Sequence, residues 1–153
     1  MELELVEPKT EAEFETYYRL RYERLRKPLG LPPGAERDDP MEPATIHRVV
    51  KVNGRVVAAA CWVVGMRRDG KVRGPYVRFR QMAVDPEFEG AGIGNAIMRH
   101  VEESARAIGA FELVGNVRME NVAWFRRNGW VEVGEGVTLY EQVESLAMIK
   151  PLQ

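Results

Sequence analysis

One cysteine, Cys61, stands in the whole chain, which excludes an internal disulfide and any metal site built from several thiolates. Set in the apolar run VVAAACWVV, it reads as buried packing and not as a nucleophile. Histidine is nearly as scarce. His47 and His100 lie far apart, so no catalytic metal is expected. An excess of one charge is also lacking: 22 basic against 23 acidic residues leave a formal charge of -1, and nothing attracts the chain in bulk to nucleic acid or to an anionic membrane. No apolar run reaches membrane-spanning length, and the opening MELELVEPKTEAEF is too acidic and broken for a signal peptide, so a cytoplasmic location is expected. The 153 residues suit one α/β domain, 1–153, with a full hydrophobic core.

Along the chain, Glu2 to Val6 alternate as a half-buried strand and stop at Pro8. Thr10 with Glu13 offers a capping box, and Phe14, Tyr17, Leu20, Arg21 and Leu25 carry a helical period to Pro28. The prolines and glycines of KPLGLPPGAERDDPMEP then forbid regular structure over most of that stretch, which reads as a binding loop or lid. His47 to Val52, the turn Asn53-Gly54 and Arg55 to Val64 make a hairpin with a type I′ turn. A second hairpin tip, RRDGK, leads into a strand over Tyr76 to Val84. Farther on, a helix carries Ile97, Val101, Ala105 and Ile108 on one face until Gly109. Phe111 to Gly115 is a short strand, Glu120 to Asn128 a short helix, and Trp130 to Val133 with Leu139 to Ile149 a closing antiparallel pair.

The richest segment is RQMAVDPEFEGAGIGNAIM, Arg80 to Met98: an apolar strand, a turn, then Gly90, Gly92 and Gly94 at alternate positions opening an amphipathic helix. Backbone N–H groups without neighbouring Cβ atoms gather there at the positive end of a helix dipole, where an anion belongs. A dinucleotide fingerprint would need glycine where Asn95 stands, in a strand that opens a βαβ unit. A nucleotide P-loop would follow Gly94 with Lys and Ser or Thr, not Asn95 and Ala96.

The segment resembles the acyl-CoA loop of the GCN5-related N-acetyltransferases (GNAT), with Glu89, Gly90, Ala91, Gly92, Ile93 and Gly94 at the loop positions and Asn95 following. Glu89 replaces the family's Gln or Arg and would repel a diphosphate unless it turns outward. The order of elements matches the same topology along essentially the whole chain. The resemblance implies an α/β GNAT fold: a mixed, mostly antiparallel sheet flanked by helices and splayed between the fourth and fifth strands, where Met82, Ala83 and Val84 would meet the pantetheine arm. It also implies acetyl-CoA as cofactor, an amine acceptor that is a small molecule or a peptide, and homodimerisation through the last strands.

VRMENVAWFRRNGW resembles the family's second signature, placing Arg118 at its first position, Asn121 at the small one and Phe125 at the tyrosine. A phenyl ring cannot donate a proton to the departing sulfur, so Phe125 reads as an apolar wall. Arg118 either touches CoA or is a solvated arginine. Some protein-modifying members carry a glutamate early in the strand before the loop, but here VRFRQMAV has Arg78 and Arg80, and Ser145 occupies a place where a bacterial branch has histidine.

Acetyl transfer requires a neutral amine, and deprotonating one of pKa about 10.4 near pH 7 costs roughly 4 to 5 kcal/mol. A base must take that proton and a donor must meet the oxyanion; the N–H of Ala83 or Val84 suits the second task. Two readings stand for each remaining residue. His47 is the base or a strand-end surface residue; Tyr140 is the acid or an ordinary strand tyrosine. Glu36, Asp38, Asp39 and Glu42 attract a cationic acceptor or are simply solvated, and His100 is read as solvent-facing with no role. The resemblance thus implies an N-acetyltransferase. The missing tyrosine, histidine and glutamate keep open a non-catalytic acyl-CoA-binding or sensing domain of the same fold.

Overall fold

The computed structural model describes residues 2–68 and 74–152, the side chains of Ala35 and Asp38 excepted. The expected second hairpin tip, from Asp69 onward, lies outside the described residues. The chain clusters into two compact units, Met1–Val63 with Gln81–Val101, and Val64–Arg80 with Glu102–Gln153.

In the first unit, β1 (Leu3–Val6) pairs antiparallel with β2 (Ile46–Val52), which pairs antiparallel with β3 (Arg55–Arg67). The β2–β3 turn has Asn53 at φ 50° and Gly54 at φ 80°, the two left-handed residues of the expected type I′ turn. Helix α1 (Glu11–Arg21) starts on the expected capping box: the Thr10 side chain accepts from the Glu13 N–H, and the Glu13 carboxylate accepts from the Thr10 N–H. Acids in its first turn and arginines in its last complement the dipole. Its inner face buries Tyr17 and Leu20 against Val49, Ala59, Cys61 and Ala83, confirming the packing role of Cys61. The helix then widens into a π turn, Tyr22–Arg26, and tightens into a 3₁₀ turn over Lys27–Leu29. Two more 3₁₀ turns, Ala35–Asp38 and Glu42–Ala44, interrupt the proline-rich stretch, which has no longer element.

β3, β4 (Gly74–Val84) and α2 (Ile93–Ala107) each run through both units. Helix α2 buries Ile93, Ala96, Ile97, Met98, Val101 and Ala105. Ile108 does not extend that face: it lies past the last helical turn and is exposed, because the Ala110 N–H closes back on the Ala105 carbonyl at 2.9 Å. His100 is not simply solvent-facing either, since its ring meets Trp62 edge-on at 5.9 Å.

In the second unit, β5 (Glu112–Arg118) runs parallel to β4, with register at Val77↔Leu113 and Arg78↔Val114 among the described residues. Both strands continue past that short ladder. β6 (Val131–Glu135) and β7 (Ser145–Pro151) follow, and β7 pairs antiparallel with both β5 and β6. The sheet order is β1-β2-β3-β4-β5-β7-β6, mixed and mostly antiparallel. α3 (Val122–Arg127) is shorter than expected, because Met119–Asn121 form a separate 3₁₀ turn. The expected strand from Leu139 also begins later, at Ser145. Tyr140 and Glu141 take φ of 50° and 59°, and Leu139 bridges Val143, so this stretch folds back as its own tight turn.

Candidate functional site

Where β4 ends, the Asp85 N–H donates to the Val57 carbonyl at 2.8 Å, and the Asp85 side chain caps a 3₁₀ turn over Pro86–Phe88. The chain then bends through Gly90 at φ 76° and Gly92 at φ 83°, conformations that a side chain would strain. Ala96 is the first N–H bonded into the helix, to the Gly92 carbonyl at 3.1 Å. Among the described residues no protein acceptor meets the N–H groups of Gly90, Gly92, Ile93, Gly94 or Asn95. A Cβ built on Gly90 or Gly92 would meet nothing within 4 Å, so the bend faces open space. Five bare amides at the start of a 15-residue helix suit a diphosphate. Glu89 is exposed and is ion-paired with Arg24 from the π turn.

Just before the bend, Met82 and Val84 are half-buried and Ala83 lies in the core. Their neighbourhood holds a polar cluster that the sequence did not single out as a unit. Arg21 is 1% exposed and forks onto Glu42, with Nη1 to Oε2 at 2.8 Å and Nη2 to Oε1 at 3.1 Å. Its Nε donates to Gln81 Oε1 at 2.5 Å. The Tyr18 hydroxyl donates to Glu42 Oε2 at 2.7 Å. The Tyr17 hydroxyl and His47 Nδ1 share a hydrogen bond of 2.5 Å, and His47 Nε2 lies 4.0 Å from Glu42 Oε2. Burial is the largest single influence and disfavours the Arg21 charge, but the Glu42 hydrogen bonds together with the electrostatic pull of Cys61, Tyr17 and Glu42 hold the guanidinium above its ordinary pKa. Burial, followed by the Glu42 hydrogen bond, pushes the Tyr18 phenol up to about 12; burial above all pushes Tyr17 up further.

His47 therefore sits inside an ordered network and not at a surface strand end. Two of the loop acids are not solvated: Glu42 is held by Arg21, and buried Glu36 lies 3.6 Å from Arg26 Nε. Asp39 caps its own turn, accepting from the Met41 N–H at 2.8 Å, and the Asp38 side chain lies outside the described residues.

The second unit carries the other expected residues. Phe125 is buried, its ring 5.0 Å from Trp130 and 6.4 Å from Phe79, which fits an apolar wall. Asn121 is exposed at the entry to α3. Arg118 ends β5 with its guanidinium 5.6 Å from the centre of the Tyr140 ring, so the structure brings these two together. Ser145 donates to the Val137 carbonyl at 2.6 Å.

A family model described as an acetyltransferase (GNAT) domain matches residues 43–132. The chain belongs to the GNAT family. Solved structures agree on the fold. The GNAT chain resembles a Corynebacterium glutamicum protein described as histone acetyltransferase HPA2 and related acetyltransferase, at TM-score 0.72 and 18% identity over 100% of this chain and 98% of that one. It resembles the Escherichia coli ribosomal-protein-S18-alanine N-acetyltransferase at TM-score 0.71 and 16% identity over 99% and 95%. Arabidopsis thaliana Naa50, solved with the bisubstrate analogue CoA-Ac-MVNAL, matches at TM-score 0.75 and 14% identity over 98% and 99%.

Proposed function

We propose that this GNAT chain is an acetyl-CoA-dependent N-acetyltransferase, one domain over 1–153, that modifies a primary amine of a small molecule or peptide in the cytoplasm. The observation that carries the reading is the set of five amides between Gly90 and Asn95 that meet no acceptor among the described residues. Those amides, in the bend that Glu89 opens and Ala91 continues, and the edge formed by Met82, Ala83 and Val84 would hold the cofactor, and acetyl-CoA would supply the acyl group as a thioester. Arg118, Asn121 and Phe125 complete the proposed cofactor contacts, Phe125 only as an apolar wall.

His47 is the candidate base. Tyr17 fixes its ring through Nδ1, and its Nε2 lies 4.0 Å from Glu42 Oε2. Glu42 is already neutralised by Arg21, so its role is to orient the cluster and not to recruit a cationic acceptor. Tyr140 is the candidate acid. Its left-handed φ is the kind of local strain that collects at working sites. Val131 and Val133 are exposed on the edge strand β6, which suits a homodimer formed by the last strands.

The peptide acceptor gains support from the Escherichia coli alanine N-acetyltransferase and the Naa50 peptide conjugate, which share the fold. Phe125 and Ser145, which lack the groups of the family's acid and base positions, favour the second reading, a CoA-binding sensor. Thiol release from acetyl-CoA across a panel of small amines and N-terminal peptides separates the two. Turnover with at least one acceptor supports the enzyme. Tight binding with no turnover on any acceptor supports the sensor.

A further inference from the structure

The loop's departure from its family pattern is answered elsewhere in the fold. Glu89 puts a carboxylate where a Gln or Arg side chain would otherwise help hold a diphosphate, and an acid within a few ångströms of two negative charges is repulsive. Arg24 reaches that same carboxylate from the π turn Tyr22–Arg26, where the Lys27 N–H bonds back to the Tyr22 carbonyl, five residues earlier. The extra residue in this turn shifts Arg24 out of the register that α1 would give it. The turn is tethered at both ends: the Tyr22 hydroxyl donates to the Leu31 carbonyl at 3.0 Å, and Arg26 lies beside buried Glu36. Arg24 itself is 38% exposed and Glu89 55%, so both heads remain accessible beside the open amides.

We propose that Arg24 supplies from elsewhere in the same chain the cation that the loop lacks, exchanging the Glu89 carboxylate for the diphosphate of CoA while Glu89 turns to water. This rests on the cofactor reading above. A guanidinium forks onto phosphate oxygens as readily as onto a carboxylate, and its planar donors suit the exchange. Glu89 is then a built-in competitor that keeps Arg24 parked at the loop until an anion arrives.

Equilibrium titration with CoA and with dephospho-CoA, as a function of salt, tests the role without measuring turnover. Arg24→Ala should weaken both ligands about tenfold and flatten the salt dependence, as expected from loss of one charge-assisted contact. Glu89→Gln should tighten both roughly threefold by removing the competitor. Melting temperatures of both variants should stay near that of the wild type, since an exposed ion pair contributes little to stability. Unchanged affinity in Arg24→Ala overturns the Arg24 role alone. A loss confined to CoA would move Arg24 to the 3′-phosphate and overturn the diphosphate assignment, and weaker binding by Glu89→Gln would overturn the exchange. Absence of CoA binding by the wild-type chain would overturn the cofactor reading together with it.

Discussion

Glu42→Ala removes the acceptor of three hydrogen bonds at once, two from Arg21 and one from Tyr18. What remains is a guanidinium that is 1% exposed and has lost its counter-charge, with Gln81 and the Tyr17 hydroxyl, the latter at 3.3 Å, as its hydrogen-bond acceptors among the described residues. Breaking a buried pair in this one-sided way destabilises by about 3–5 kcal/mol. In a chain of this size that lowers the melting temperature by on the order of 10 °C. Replacing both partners, Arg21→Met with Glu42→Leu, removes the stranded charge and should return stability to within about 1–2 kcal/mol of wild type. Urea unfolding with a constant m-value reads both changes, and the cycle closed by Arg21→Met alone and Glu42→Leu alone should give a coupling energy of at least about 2 kcal/mol. A loss below about 1 kcal/mol in Glu42→Ala, or simple additivity in the double variant, would refute the view that this pair holds the segment before β2 onto α1.

Gly92→Val should leave the chain folded, because the built Cβ meets open space, with a loss of about 1–2 kcal/mol from the φ of 83°. Calorimetric titration should then show acetyl-CoA binding gone, and retained affinity in the folded variant would count against the loop. Tyr140→Phe and His47→Gln should each lower kcat about 10²-fold or more with little change in acetyl-CoA affinity, and unchanged kcat in either removes that residue from the chemistry. The Glu13 carboxyl is lowered to about 2 by its hydrogen bond from Lys51 and by the Lys9 N–H. Its contribution is fully present above the ordinary value near 4.5 and is lost as pH falls toward 2. Glu13→Gln should therefore differ from wild type in stability above about pH 4.5 and converge with it near pH 2, as followed by acid titration at fixed urea.

Features fixed within a few residues were legible in the chain. Thr10 with Glu13 announced the first helix, Asn53-Gly54 the hairpin turn, and Gly90 to Gly94 the bend before α2, because each depends on local dihedrals and local donors. Partners distant in sequence were not. Arg21 and Glu42 are separated by a proline-rich stretch whose path no periodicity records, so Glu42 read as a solvated loop acid instead of a buried anchor. The short hydrogen bond between His47 and Tyr17 was hidden for the same reason. Tyr140 looked like a strand residue because Leu139 to Ile149 alternates well enough. Its place in a left-handed turn depends on the bridge from Leu139 to Val143. Arg24, on an irregular turn, gave no signal until its neighbour across the fold was known.

The most direct test of the central claim follows backbone amides by ¹⁵N-resolved NMR while acetyl-CoA is added to the wild-type chain. The largest saturable shifts should fall on Gly90, Gly92, Ile93, Gly94 and Asn95, the amides that meet no acceptor among the described residues. Saturable shifts that leave those five amides untouched and cluster elsewhere would contradict it.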